Sequence, residues 1–191
     1  NYPLRNEIFS YYTLFCHLKP KKEKSIDYNS PQMTIEDCFS IFSQEETLDE
    51  KNKWHCPNCN SNVCANKKMD LWSAPDSLII NLKRFGASNS KLETFVGYDE
   101  ILDLTDFIVG TQSSEEQQIL YRLYGVTEHM GGVGSGHYTA RVQVVEPHHT
   151  TGKWYYFNDD NVTETDESTA VNRSAYILFY QKIKPDEKAD D

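Results

Sequence analysis

The chain has 191 residues, the size of one domain or one large fragment with enough length to bury a core, and its 19 Lys and Arg against 29 Asp and Glu give a net charge of −10. A nucleic-acid binder needs a basic face to displace counterions, and this chain offers only one short lysine run, so nucleic acid is excluded as a partner and cationic partners fit better. No apolar run approaches a membrane span of about 18 residues and no signal-like segment opens the chain, while five Cys with a single C-x-x-C pair do not read as a secreted disulfide framework, so a soluble cytoplasmic or nuclear protein with no membrane partner is expected.

Residues 1–33 carry an aromatic run from Phe9 to Phe15 that predicts a strand. The stretch Lys19 to Lys24 and then Asn29-Ser30-Pro31 follow, and read as a solvated connector rather than a nuclear signal. From Thr34 the period changes. Ile35, Cys38, Phe39 and Phe42 stand at i, i+3, i+4 and i+7, one face of a helix, and Thr34 with Asp37 forms a capping-box pair. Cys38 then belongs to the core, where an apolar setting makes a thiol inert. Strands are predicted over 77–85 (SLIINLKRF), 119–127, 137–145, 153–158 and 175–181. Strands with few short helices and no βαβ rhythm predict an α+β fold that is mainly an antiparallel β-sheet. An aromatic share of 13% within a hydrophobic share of 38% predicts a core that leans on Tyr, Phe and Trp. The charged end from Asp186 reads as a disordered tail.

Two stretches carry chemistry. Cys56-Pro57-Asn58-Cys59 is a knuckle whose spacing lets two thiolates reach one zinc through a tight turn. A structural zinc wants four ligands, and no second C-x-x-C or C-x-x-H exists. Cys64 would have to fold back, His55 abuts Cys56 awkwardly, and Cys16-His17 is a lone pair. The remaining ligands are expected outside these residues; the alternative is half of an ancestral site surviving as two buried thiols. The other stretch is Gly131-Gly132-Val133-Gly134-Ser135-Gly136-His137-Tyr138, four glycines in six positions before a strand. It lacks the Lys and helix of a phosphate loop, so the glycines are expected to leave room for an extended peptide. A hairpin symmetric about Pro147 and His148 sets His137 opposite Asn158, within side-chain reach. An imidazole held by an amide oxygen presents its other nitrogen as a base, the arrangement of a Cys-His-Asn hydrolase, and Asp159 or Asp160 would take the orienting role if the register slips. For a lone strand His a merely structural role would win, but the glycines and the Asn-Asp pair favour catalysis.

These residues resemble a known family, the ubiquitin-specific proteases. The similarity lies in Tyr124-Gly125-Val126, His129, the glycine run, Gly136-His137-Tyr138-Thr139-Ala140, Trp154 to Asp159, and Ala175-Tyr176 to Tyr180. It extends to Cys56 to Cys59, Asp70-Leu71-Trp72-Ser73-Ala74-Pro75 and Leu82-Lys83-Arg84-Phe85. The resemblance implies the palm and part of the fingers of a papain-like cysteine peptidase over residues 34–182, flanked by a connector at 1–33 and a tail at 183–191. It implies a deubiquitinase that cleaves after the C-terminal glycine of ubiquitin, with ubiquitin and ubiquitinated proteins as partners. His137 would be the general base, Asn158 its orienting partner and Asp159 a support for the site. His129, Gly131, Gly132, Gly136 and Tyr138 would border the ubiquitin tail, and Cys56 with Cys59 would form the second of the family's two zinc knuckles.

None of the five cysteines has the Asn-x-x-Cys-[Tyr/Phe]-x-Asn setting of the family's nucleophile, and the first zinc knuckle is absent. The chain therefore looks like the C-terminal half of a catalytic domain split by an insertion. It is expected to be inactive alone and to partner the N-terminal half that carries the Cys. Gly97-Tyr98, where the family usually has Phe-Pro, puts ubiquitin contacts there in doubt. A non-catalytic ubiquitin-binding module is the alternative, and a zinc-ribbon interaction domain ranks last because it leaves the histidine hairpin unexplained.

Overall fold

The computed structural model describes residues 10–14, 31–85, 90–110, 118–144 and 152–184. The lysine run, Cys16-His17, the turn at Pro147-His148 and the tail from Asp186 lie outside them.

Strand β1 (Ser10–Leu14) comes first, and β2 (Met33–Thr34) leads into helix α1 (Ile35–Phe42). The capping box forms as expected: the Thr34 hydroxyl accepts from the Asp37 amide at 3.2 Å and the Asp37 carboxylate accepts from the Thr34 amide at 2.8 Å. Ile35, Cys38 and Phe39 are buried, with Phe42 packed against them. Two small antiparallel pairs follow, with β3 (Glu46–Thr47) joined to β6 (Asn66–Lys67) around the hairpin of β4 (Trp54–Cys56) and β5 (Ser61–Val63).

The rest builds one sheet. Its strands are β7 (Ser77–Leu82), β9 (Ile101–Asp103), β10 (Leu120–Gly131), β11 (Gly136–Val144), β12 (Lys153–Asn158), β13 (Asn161–Thr165) and β14 (Ala175–Lys182), while β8 (Val96–Gly97) pairs in parallel with β2. The order is β1-β7-β14-β10-β11-β12-β13 with β9 beside the start of β10, and all neighbours run antiparallel except β1 and β7. Strand β10 is the spine. One of its edges carries β14, and the other carries β9 at Leu120–Arg122 and then β11 from Gly125 to Gly131.

The expected end of β7 at Phe85 moves back to Leu82 because Arg84 turns inward. This side chain is buried, and its guanidinium donates to the carbonyls of Ala175 at 2.8 Å, Leu92 at 3.0 Å and Thr94 at 2.7 Å, tying the next loop to β14. A buried cation satisfied by carbonyl dipoles escapes the penalty of an unpaired charge.

The core is less aromatic than the composition suggests. Among the described residues the buried hydrophobics include ten Leu and Ile against six aromatics. The buried tyrosines serve as ties as much as filling: Tyr98 donates to the Ala170 carbonyl at 2.8 Å, Tyr121 to Pro75 at 2.7 Å and Tyr180 to Asp99 at 2.7 Å. Burial pushes the phenols of Tyr98 and Tyr180 up, so they stay neutral donors. Gly97 and Tyr98 are both buried, and a Cβ on Gly97 would lie 2.9 Å from a Pro31 side-chain carbon, so this departure from the family pattern falls in the core rather than on a contact surface.

Candidate active site

His137 is the second residue of β11 and Asn158 the last of β12. The ladder between these strands pairs Ala140 with Phe157 and Val144 with Lys153, so its centre lies one residue later than a turn at Pro147 and His148 predicts. Every partner shifts by two. Asn158 falls beyond the last recorded pair and lies diagonal to His137 instead of opposite it. A shift of two preserves the face in a structure of period two, and diagonal neighbours remain within reach of long side chains. The expected contact therefore forms: His137 Nε2 lies 2.6 Å from Asn158 Oδ1.

An amide oxygen can only accept, so Nε2 carries the hydrogen and donates it. In the neutral ring the lone pair then sits on Nδ1, which is left to act as a base. Asp159 Oδ2 is 3.9 Å from Nε2, too far for a hydrogen bond, and its side chain is 80% exposed. Asp159 has a φ of 50°, a left-handed turn residue that carries the chain from Asn158 to its partner Asn161 at the start of β13.

The glycine run makes a tight hairpin. Strands β10 and β11 stay paired up to Gly131 and Gly136, and the Gly132 amide donates to the Ser135 carbonyl at 3.0 Å. Gly131 has a φ of 107°. Gly136 is required by a close approach: a Cβ there would lie 2.2 Å from His129 Nε2 and 2.8 Å from the Met130 carbonyl oxygen. Gly132 and Gly134 face open space. Only those two keep the room expected for a peptide; Gly136 instead admits the ring of His129.

His129 itself is 3% exposed, which corrects its expected place on the substrate surface. It lies directly across from Tyr138 in the ladder, and the two rings are 4.6 Å apart. Phe85 and Tyr176 complete the cluster, at 5.3 and 5.9 Å from the His129 ring. Burial first, and the Lys91 ammonium next, hold the His129 imidazole below its ordinary value, while Lys91 Nζ donates to the His129 carbonyl at 2.7 Å. Tyr138 is 52% exposed and covers this cluster, on the face of the sheet opposite His137.

Sequence reasoning missed a buried polar group on the His137 face. Glu128 is 5% exposed and pairs with Thr139 in the ladder. Its carboxylate accepts from Thr139 Oγ1 at 2.7 Å, from Asn172 Nδ2 at 2.6 Å and from the Arg141 guanidinium. Arg141 also donates to Thr169 Oγ1 at 3.1 Å and lies over the Tyr156 ring at 4.5 Å. The available signal was a Glu two residues after Val126, at a position where the strand's alternation calls for an apolar side chain.

At the fingers-like hairpin, Cys56 ends β4, Asn60 takes a φ of 51°, and Cys59 is exposed. An exposed Cys59 does not match a pair of buried remnant thiols. Cys59 Sγ lies 3.0 Å from the Ser61 hydroxyl, and hydrogen bonds from Ser61 and then from the Cys56 thiol pull the Cys59 thiol below its ordinary value. Cys64 is bonded to Glu50 at 3.6 Å and His55 Nδ1 lies 3.3 Å from Asn62 Oδ1, and among the described residues no group of three candidate ligands forms.

A family model described as ubiquitin carboxyl-terminal hydrolase matches residues 12–180. The chain belongs to that family. Ubiquitin carboxyl-terminal hydrolase 15 of Homo sapiens is 37% identical over 169 residues, 85% of this chain and 16% of that protein. Ubiquitin carboxyl-terminal hydrolase 5 of Arabidopsis thaliana is 40% identical over 157 residues, 80% of this chain and 16% of that protein. Among solved structures, the SAGA Ubp8/Sgf11/Sus1/Sgf73 DUB module bound to ubiquitin aldehyde aligns with a TM-score of 0.66 at 29% identity, covering 80% of this chain and 34% of that chain. The chain thus spans about a sixth of the length of the curated relatives it matches. The resemblance to ubiquitin-specific proteases is borne out, and so is the mainly antiparallel α+β fold of a papain-like peptidase.

Replacing Gly136 by Ala forces the new methyl group against the His129 ring and the Met130 carbonyl. Thermal unfolding of Gly136→Ala is expected to show a loss of about 1–3 kcal/mol, against near-neutral behaviour of Gly134→Ala; equal effects of the two would contradict the packing described.

Proposed function

We propose that this chain supplies the His-Asn part of the active centre of a cysteine-type deubiquitinase, with His137 as general base and Asn158 as its orienting partner. The observation that carries this reading is the 2.6 Å contact between His137 Nε2 and Asn158 Oδ1, which leaves Nδ1 as the basic nitrogen. The nucleophile lies outside this chain, in the N-terminal part of the catalytic domain. The described cysteines are poor candidates: Cys38 is buried in α1, Cys56 and Cys59 sit in the knuckle, and desolvation followed by the Glu50 carboxylate pushes the Cys64 thiol up.

In the proposed reaction Nδ1 of His137 takes the proton of the incoming thiol. The thiolate attacks the carbonyl carbon of the terminal glycine of ubiquitin, forming a tetrahedral oxyanion. Collapse of that adduct breaks the C–N bond, and the departing amine takes the proton back from Nδ1. Water, deprotonated by the same nitrogen, then hydrolyses the thioester and restores the thiol. Asn158 holds the ring in the productive tautomer throughout. Asp159, near but not bonded to Nε2, supports the site from beside Asn158. The solved DUB modules bound to ubiquitin aldehyde and to monoubiquitin support ubiquitin as the substrate, and the net charge of −10 suits its cationic tail.

The same reading makes Cys56 and Cys59 two of four thiolate ligands of a structural zinc, with the other two from the first knuckle outside the chain. Bound zinc would pin the hairpin tip to the missing half.

Hydrolysis of a fluorogenic ubiquitin C-terminal amide by the full-length protein tests the catalytic reading. His137→Ala is expected to lower kcat by about 10³-fold or more and Asn158→Ala by less, with ubiquitin binding retained. Activity that survives His137→Ala defeats it, and binding without hydrolysis in the unaltered full-length protein would favour a ubiquitin-binding module. For the metal, the zinc content of the full-length protein is expected to fall by about one ion per molecule in Cys56→Ser/Cys59→Ser, with a lower Tm; an unchanged content rules the knuckle out.

A further inference from the structure

Backbone pairing does not by itself fix His137 against Asn158. The last recorded pair of the β11–β12 ladder is Ala140 with Phe157, so the side-chain contact lies past the end of that ladder and runs diagonally across it. A diagonal contact is sensitive to sliding of one strand along the other, because its length changes directly with the offset. Something on the His137 face must hold that offset.

Glu128 is placed to do so. In β10 it stands two residues before Met130, the partner of His137, and directly opposite Thr139, two residues beyond His137 on the same face. Its carboxylate bonds the Thr139 hydroxyl and the Arg141 guanidinium, so β10 grips β11 at two successive inward positions. Arg141 carries the grip to β12, since it pairs with Tyr156 in the ladder and lies over that ring, two residues before Asn158. Asn172 and Thr169 close the cluster from the segment between β13 and β14. The chain of contacts thus runs from Glu128 through Arg141 and Tyr156 to the strand end that bears Asn158.

A merely mechanical role would be served as well by apolar side chains. Val126, two residues earlier on the same face of β10, is such a residue and is 1% exposed. Taking a carboxylate and a guanidinium out of water is costly, and well-packed hydrophobic replacements are often neutral or stabilising. What a fully bonded ion pair adds is direction: each bond fixes an angle as well as a distance, whereas apolar packing tolerates sliding.

We infer that Glu128, held by Arg141, Thr139 and Asn172, is a positioning residue that sets the offset of β11 on β12 and so aligns His137 with Asn158. The inference rests on the reading of His137 as the general base. Glu128 touches no reacting atom and acts only through the strands.

Steady-state hydrolysis of the fluorogenic ubiquitin amide by the full-length protein tests it. Glu128→Ala is expected to lower kcat by about 10- to 100-fold with KM changed by less than about twofold, because misplacement of the base by about 1 Å affects the chemical step and not ubiquitin binding. Glu128→Gln is expected to recover most of that loss: its amide oxygen accepts from Arg141 and Asn172 while its NH2 donates to the Thr139 hydroxyl. Thr139→Val keeps the side-chain volume, removes one bond and is expected to lower kcat by about 3- to 10-fold, so it decides the matter if Glu128→Ala does not fold. A lowered Tm in both variants with kcat per folded molecule unchanged would overturn the inference and leave Glu128 a structural strut. His137→Ala measured alongside separates the two readings. If it stays active the base assignment fails, whereas an inactive His137→Ala with unaffected Glu128 and Thr139 variants removes the positioning role alone.

Discussion

The site depends on the two-residue period of the β10–β11–β12 ladders. His137, Thr139 and Arg141 alternate with Tyr138, Ala140 and Val142 along β11, so one face bears the histidine and its amide partner and the other bears the aromatic cluster. A slip of one residue would exchange the two faces and put Tyr138 in the place of His137. A slip of two leaves the faces intact and only lengthens the cross-strand contacts. Several devices hold the register: the tight glycine turn between β10 and β11, the buried Glu128–Arg141 pair, and the left-handed Asp159 that ends β12 immediately after Asn158.

The glycines follow from the same constraint. Pairing that persists to Gly131 and Gly136 leaves four residues to reverse the chain, and the positive φ of Gly131, the last paired residue of β10, starts that reversal. The ladder also brings the His129 ring onto the backbone of β11, where any Cβ at position 136 would collide with it. His129 thereby becomes part of the floor beneath Tyr138, and burial and Lys91 hold its imidazole below its ordinary value. The two faces of one hairpin thus differ: one bears the His137–Asn158 pair to which proton transfer is assigned in the proposed mechanism, the other an aromatic platform with Tyr138 outermost.

Much of this was legible in the sequence, for identifiable reasons. Helix α1 announced itself because its apolar period and both halves of its capping box lie within nine residues, Thr34 to Phe42. The His137–Asn158 contact was legible because it needs only the correct face, and the error of two residues in the register preserved it. Strand β13 was not, since four of its five residues are exposed and no apolar alternation marks it. The parallel pairing of β1 with β7 joins segments more than sixty residues apart, and nothing local encodes it. His129 was misplaced on the surface because its burial comes from Phe85 and Tyr176, on other elements. Glu128 and Arg141 read as ordinary strand charges until the ladder sets them side by side.

In the proposed mechanism Asn158 fixes the protonation of His137 so that Nδ1 faces the reaction with a free lone pair. The ring-nitrogen chemical shifts of His137 in the nitrogen-15-labelled full-length protein, recorded at a pH where the imidazole is neutral, report this directly. The hydrogen is expected on Nε2, with a mixture of tautomers once Asn158 is replaced by Ala. A hydrogen found on Nδ1 in the unaltered protein would contradict it.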